Sequence, residues 1–172
     1  SLLVKAFCLS HLSDHVLVHD LAAIAKQDCT TTATLLSHIA EVDERRLYLP
    51  AAHASMYSYC VHELRMSEDM AFARIRVARA ARQFPAILAG LANGRLQVSA
   101  VVLLAPHLSP DTADDLLAAA EYKTMAEIRL MLAGRFPRPD MPTLLEAITA
   151  PVGGENSKLP NGGNPSGVSM SA

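Results

Sequence analysis

Four arginines, Arg74, Arg76, Arg79 and Arg82, fall within one short segment that holds no acid between Met70 and Gln83. Guanidinium groups grip phosphate through two parallel N–H donors, so clustered arginines on one helix are suited to contacting a nucleic-acid backbone. At about 100° per residue the four side chains fan over nearly half of a helix, while Met70, Ala73, Val77, Ala80 and Ala81 share the other side. One side would pack and the other would face phosphate. The competing reading is a solvated arginine face, with stems lying on apolar neighbours and heads paired with acids such as Asp114 or Glu121.

Histidines are the next candidates. His11, His15 and His19 are spaced four apart, which on a continuous helix would align imidazoles for a metal ion. Ser13 reads as a helix cap, however, which leaves His11 outside the helix, and no cysteine or carboxylate stands at a matching position. They are read as surface histidines, and no metal site is assigned. His53, His62 and His107 stand alone in the sequence and lack the strand-to-helix elbow that exposes a nucleophilic serine or cysteine. Glu41, Asp43 and Glu44 beside Arg45 and Arg46 resemble acid–base machinery, but Glu41 and Arg45 at i, i+4 pair more simply as a helix-surface ion pair. Gly153, Gly154, Gly162 and Gly163 follow no strand and precede no Lys-Ser/Thr step, which makes them linker and not a phosphate loop. No catalytic residue is assigned. Cys8, Cys29 and Cys60 form no Cys-x-x-Cys pair and are expected to be reduced, partly buried small hydrophobes.

These side chains must be carried by helices. Ser13 precedes a stripe of Val16, Leu17, Leu21 and Ile24; after Thr30, Thr31 and Thr32 it resumes with Leu35, Leu36, Ile39, Val42 and Leu47. One long helix or two shorter ones fit this pattern equally, with Pro50 as the stop. Ser55 caps a short helix to Leu64, and Ser67 with Glu68 and Asp69 starts another to Gln83. Two helices joined by a tight turn, the second rich in arginine, give a helix-turn-helix-like pair. Pro85 is expected at the first position of a helix closed by Gly94. Val98 to Leu104 reads as a buried helix stopped by Pro106, Ser109-Pro110 begins a helix to Ala120, and Thr124 to Glu127 forms a capping box for a helix ending near Phe136.

The fold class is therefore all-α, with a helical domain over residues 1–149, including a brief helix from Thr143 to Thr149. Residues 150–172, rich in Gly, Asn and Ser, read as a flexible tail or linker. Of 172 residues, 51% are apolar and only 5% aromatic, so the core must be built from Ala, Leu, Ile and Val. The formal charge of -2 excludes a chain that is basic throughout but leaves room for local basic surface. No apolar run approaches the length of a membrane span and no secretory leader is present, which makes the cytoplasm the default. The start at Ser1 suggests a piece of a longer protein.

Residues 40–50 (AEVDERRLYLP), 56–86 (MYSYCVHELRMSEDMAFARIRVARAARQFPA), 91–121 (LANGRLQVSAVVLLAPHLSPDTADDLLAAAE) and 122–140 (YKTMAEIRLMLAGRFPRPD) together resemble the N-terminal helical region of bacterial HNH endonuclease-type proteins. In that family a linker and a C-terminal HNH module follow, in which histidines and an asparagine on a ββα element hold a divalent metal that activates water. Nothing in these residues matches that module, so no cofactor is assigned to this chain and the metal would belong to the absent part. The resemblance implies a helical DNA-binding or targeting region that is not catalytic by itself, with duplex DNA as partner through Arg74, Arg76, Arg79 and Arg82. The alternative is a helical interaction or dimerisation module forming a homo-oligomer without nucleic acid, for which the apolar run Val98 to Leu104 is the best support.

Overall fold

The computed structural model describes residues 7–137, and every regular element among them is helical. Helix α1 spans Asp14–Glu44, α2 spans Met56–Ser58 and runs into a π-helical turn Tyr59–Glu63, and α3 spans Glu68–Gln83. Helices α4 (Ala86–Ala92), α5 (Val98–Leu104), α6 (Ala113–Ala120) and α7 (Met125–Arg135) complete the order, with a 3-10 turn Ala105–His107 after α5. The expected all-α class holds. The expected helix from Thr143 to Thr149 and the tail 150–172 lie outside the described residues.

The three consecutive threonines do not split α1. Thr30 and Thr34 return their hydroxyls to the carbonyls of Lys26 and Thr30, at 3.2 and 2.9 Å, which satisfies the polar groups without leaving the helix. The helix stops at Glu44, six residues ahead of Pro50, because Arg46 turns into the left-handed region at φ 53°. Ser55 and Ser67 cap as expected, accepting from the amides of Ser58 and Met70 at 3.0 and 3.3 Å. The capping box also forms: Thr124 accepts from the Glu127 amide while the Glu127 carboxylate accepts from the Thr124 amide at 2.7 Å.

Two further boundaries differ from the sequence reading. Pro85 occupies the cap position, one residue before α4. Helix α5 ends at Leu104, just ahead of Pro106 as expected, and Pro106 lies in the first turn of the 3-10 helix that follows, where its missing N–H leaves no bond unmade. Helix α6 begins at Ala113 and not at Ser109, because the Thr112 hydroxyl accepts from the Ser109 amide and donates to the His107 carbonyl, both at 3.0 Å. That turn takes up the residues expected to be helical.

The second half of α1 packs against α3 and α4, α3 packs against α5, and α5 meets α6 and α7. Leu36, Met56, Ile87, Val101, Leu104, Leu116 and Ile128 are fully enclosed, and no polar or charged residue is buried among the described residues. Alanines at 71, 78, 81, 100 and 120 line the core, which lets backbones approach closely without aromatic filler. The cluster includes Ala100, Val101 and Leu104, with Val98, Val102 and Leu103 packed against it. The run from Val98 to Leu104 is thus covered within this chain, which removes it as the support for a partner surface.

Candidate nucleic-acid interface

The arginine helix α3 is amphipathic, but its buried stripe is rotated from the one read in the sequence. Ala71, Ile75, Val77, Ala78 and Ala81 are buried, whereas Met70 is exposed. Small residues on this stripe bring the end of α1 close, and with it the acids Glu41, Asp43 and Glu44. The consequence falls on the arginines.

Arg79 donates from Nε to Asp43 Oδ2 at 2.7 Å and from Nη2 to Oδ1 at 3.2 Å. The bond and charge of Asp43 hold the Arg79 guanidinium still more firmly protonated than usual. Arg82 lies between Glu41 at 3.5 Å and Glu44 at 3.3 Å, while Glu41 also takes Arg45. The pairing of Glu41 with Arg45 was expected. The acids facing Arg79 and Arg82 are those of α1, not Asp114 or Glu121; Glu121 instead accepts from Arg95 at 2.6 Å. Two of the four arginines are therefore neutralised within the fold.

The other two differ from each other. Arg74 is half-buried and directs Nη1 to the Met66 sulfur at 3.9 Å. Its charge partly offsets the burial that raises the Cys60 thiol pKa. Arg76, half-buried like Arg74, has its guanidinium carbon 5.9 Å from the centre of the exposed Phe72 ring, within cation–π reach, and borders an open hollow. Among the described residues no carboxylate lies within ion-pair distance of Arg74 or Arg76. Arg76, Arg79, Phe72, Ile75, Tyr57, Met56 and Ser55 line one open hollow between α2 and α3. At the start of α3 the charge reverses: Tyr57 has its phenol pKa raised first by desolvation and then by Glu68 and Asp69. The cationic part of this surface is the Arg76 end.

The histidines are not as isolated as their sequence positions suggest. His53 Nδ1 lies 3.2 Å from Ser58 Oγ and its Nε2 lies 3.7 Å from Glu63 Oε2, while its ring meets Tyr59 edge-on and stacks on His62 at 6.5 Å. The π-helical turn produces this grouping, since inserting one residue into a helical turn puts Tyr59, His62 and Glu63 on the side facing the loop that carries His53. No sequence motif announces such a turn. A serine, a histidine and a glutamate in a row suggest acyl transfer, but the Ser58 amide donates to Ser55 Oγ and Ser58 ends a single helical turn, with no strand-to-helix elbow to present it. The group is described by its contacts, a clasp that ties the loop of His53 to Ser58 and Glu63. His107 stacks on Phe136 at 4.5 Å.

His15 and His19 lie on α1, where with Asp14 and Val18 they border a shallow depression, and His11 precedes the helix. His19 approaches Asp20 at 3.5 Å. Among the described residues no three potential ligands converge on one point. The cysteines differ from the uniform expectation: Cys60 is buried, Cys29 half-buried, and Cys8 exposed.

No family model, curated protein or solved structure matches the chain. Among the described residues no helix is long and apolar enough to cross a membrane.

Proposed function

We propose that this chain is the helical DNA-binding or targeting region of an HNH endonuclease-like cytoplasmic protein, and that it is not catalytic by itself. The observation that carries this reading is Arg76, whose guanidinium is held over Phe72 beside an open hollow and faces no carboxylate of the described residues. A cation presented in this way loses little on meeting a phosphate, because no internal ion pair must first be broken. The contact surface is narrower than a four-arginine face: Arg76 leads, Arg74 contributes through its outer edge, and Arg79 and Arg82 mainly tie α3 to α1. The resemblance of residues 40–140 to the helical region of HNH endonuclease-type proteins supplies the rest of the reading, with metal and hydrolysis assigned to a separate module.

The test is fluorescence anisotropy with a labelled duplex across a salt series. Binding should be strongest at low salt, and Arg76→Gln should weaken it and lower the slope of log K against log salt by about 1. Arg82→Gln should change the slope less. Absence of binding at low salt, or equal effects of the two substitutions, would remove the proposal.

A further inference from the structure

The first half of α1 has no tertiary support among the described residues. From Asp14 to Asp28 every residue is exposed, and the helix first meets the rest of the fold at Cys29, near the turn at Gly94. Val18, Leu21 and Ile24 are 67%, 65% and 65% exposed, and Val16 and Leu17 about two-fifths. This arm extends roughly 22 Å at 1.5 Å per residue. The packed half of the same helix meets its nucleation cost, but among the described residues no contact with another element supports the arm itself.

Its surface is one-sided. Leu17, Leu21 and Ile24 follow the 4-then-3 spacing of a coiled-coil seam, flanked by Val18 and Ala25 and bounded at its two ends by Asp14 and Asp28, while His15, His19 and Lys26 occupy the opposite side. The seam lies in register with Leu35, Leu36 and Ile39, the residues that pack against α3 and α4 further along the same helix. By helical geometry it spans about 120°, the width that a single opposing helix covers.

We infer that this arm is a self-association surface, pairing with the same arm of a second copy of the chain. Over Leu17, Leu21 and Ile24 two identical seams match in width and apolar character, as a two-fold interface requires, while the aspartates at the ends confine the contact to this centre. The exposed apolar side chains offer on the order of 500 Å² per copy, so a pair would bury at most about 1,000 Å², the size of a weak, transient interface. The dimer is therefore weak, forming in the micromolar range, and it doubles the number of Arg76 surfaces available to one ligand. The inference does not rest on nucleic-acid binding.

The experiment is sedimentation of the full 172-residue chain from about 1 to 200 µM, a range chosen to bracket a micromolar equilibrium, without nucleic acid. The mass should move from one 18.4 kDa chain towards two. In the double variant Leu21→Glu/Ile24→Glu the dissociation constant should rise by about 100-fold or more, since charges replace the seam. Hydrogen exchange on the wild-type chain is the second readout and needs no variant: amides of residues 14–28 should become more protected as concentration rises, while those of α3 should not. A monomer over the whole range overturns the inference, as does a dimer untouched by the double variant. Concentration-independent protection of the arm overturns it as well, and would assign its cover to another segment of the same chain.

Discussion

Arg79 and Asp43, thirty-six residues apart in sequence, form a two-point hydrogen-bonded ion pair that joins α3 to the last turn of α1. The carboxylate is 16% exposed and the guanidinium 62%, so the pair is anchored at one end and wet at the other. Asp43→Ala should lower stability by about 1 kcal/mol, the discounted value for a bidentate pair with one solvated partner. Urea denaturation of the two proteins measures it. The same substitution frees Arg79, and duplex affinity should rise if the proposed interface is right.

Helix α1 supplies an internal comparison between covered and uncovered leucines. Leu36 is fully buried, and Leu36→Ala should cost about 2–5 kcal/mol through lost burial and an unfilled cavity. Leu21→Ala, on the projecting arm, should cost under about 0.5 kcal/mol in dilute solution. Thermal melts at low protein concentration separate the two.

Gly90 sits inside α4, where alanine would ordinarily be preferred by about 1 kcal/mol. Here an added Cβ would stand 2.6 Å from Leu96 Cδ1 and 3.0 Å from its Cγ. Leu96 is itself buried, so it cannot swing into solvent to make room. Overpacking of this kind costs about 1–3 kcal/mol. Gly90→Ala should therefore be destabilising by about 1 kcal/mol net, and a stabilised variant would show that Leu96 can repack.

The capping box on α7 makes stability depend on acid. Hydrogen bonds from the Thr124 amide and then the Thr124 hydroxyl hold the Glu127 carboxyl below its ordinary value near 4.5. A lowered folded-state pKa means that the stabilisation is complete above the unfolded value and is lost as pH falls through the folded one. The stability difference between wild type and Glu127→Ala should be constant above about pH 5.5 and shrink progressively below about pH 4.5. Chemical denaturation at a series of pH values tests it, and a difference growing towards acid would contradict the box.

The three thiols should react in a fixed order. Cys8 is exposed and its pKa is lowered by hydrogen bonding to Ser10, whereas Cys60 is enclosed and its pKa is raised by burial. Thiolate fraction and access act in the same direction. Iodoacetamide at neutral pH should label Cys8 first and Cys29 more slowly, with Cys60 reacting only in denaturant, as peptide mass mapping would record.

Much of the helical order was legible because its signals are local. Ser55, Ser67 and Thr124 each satisfy an amide three residues on, and the spacing of Leu35, Leu36 and Ile39 needs no knowledge of what they pack against. Boundaries went astray where a nearby side chain or backbone turn competed: Thr112 bonding back to His107, and Arg46 turning early. The clasp of His53, Ser58 and Glu63 had no signature, since it depends on one inserted residue in a turn.

The apolar pattern and the caps were enough to determine that this chain is helical, where the arginine helix begins, and that Leu17, Leu21 and Ile24 form one stripe, because each depends on interactions within a few residues. Only the tertiary structure decided which arginines keep an open charge and which apolar stripes are covered. Arg79 and Arg82 are neutralised because alanines on α3 admit the acidic end of α1, and the stripe on α1 is buried after Cys29 and bare before it because α3 and α4 extend only that far. Both outcomes are set by helices meeting across long stretches of sequence, and the spacing of residues within one helix does not encode the length or position of its neighbour.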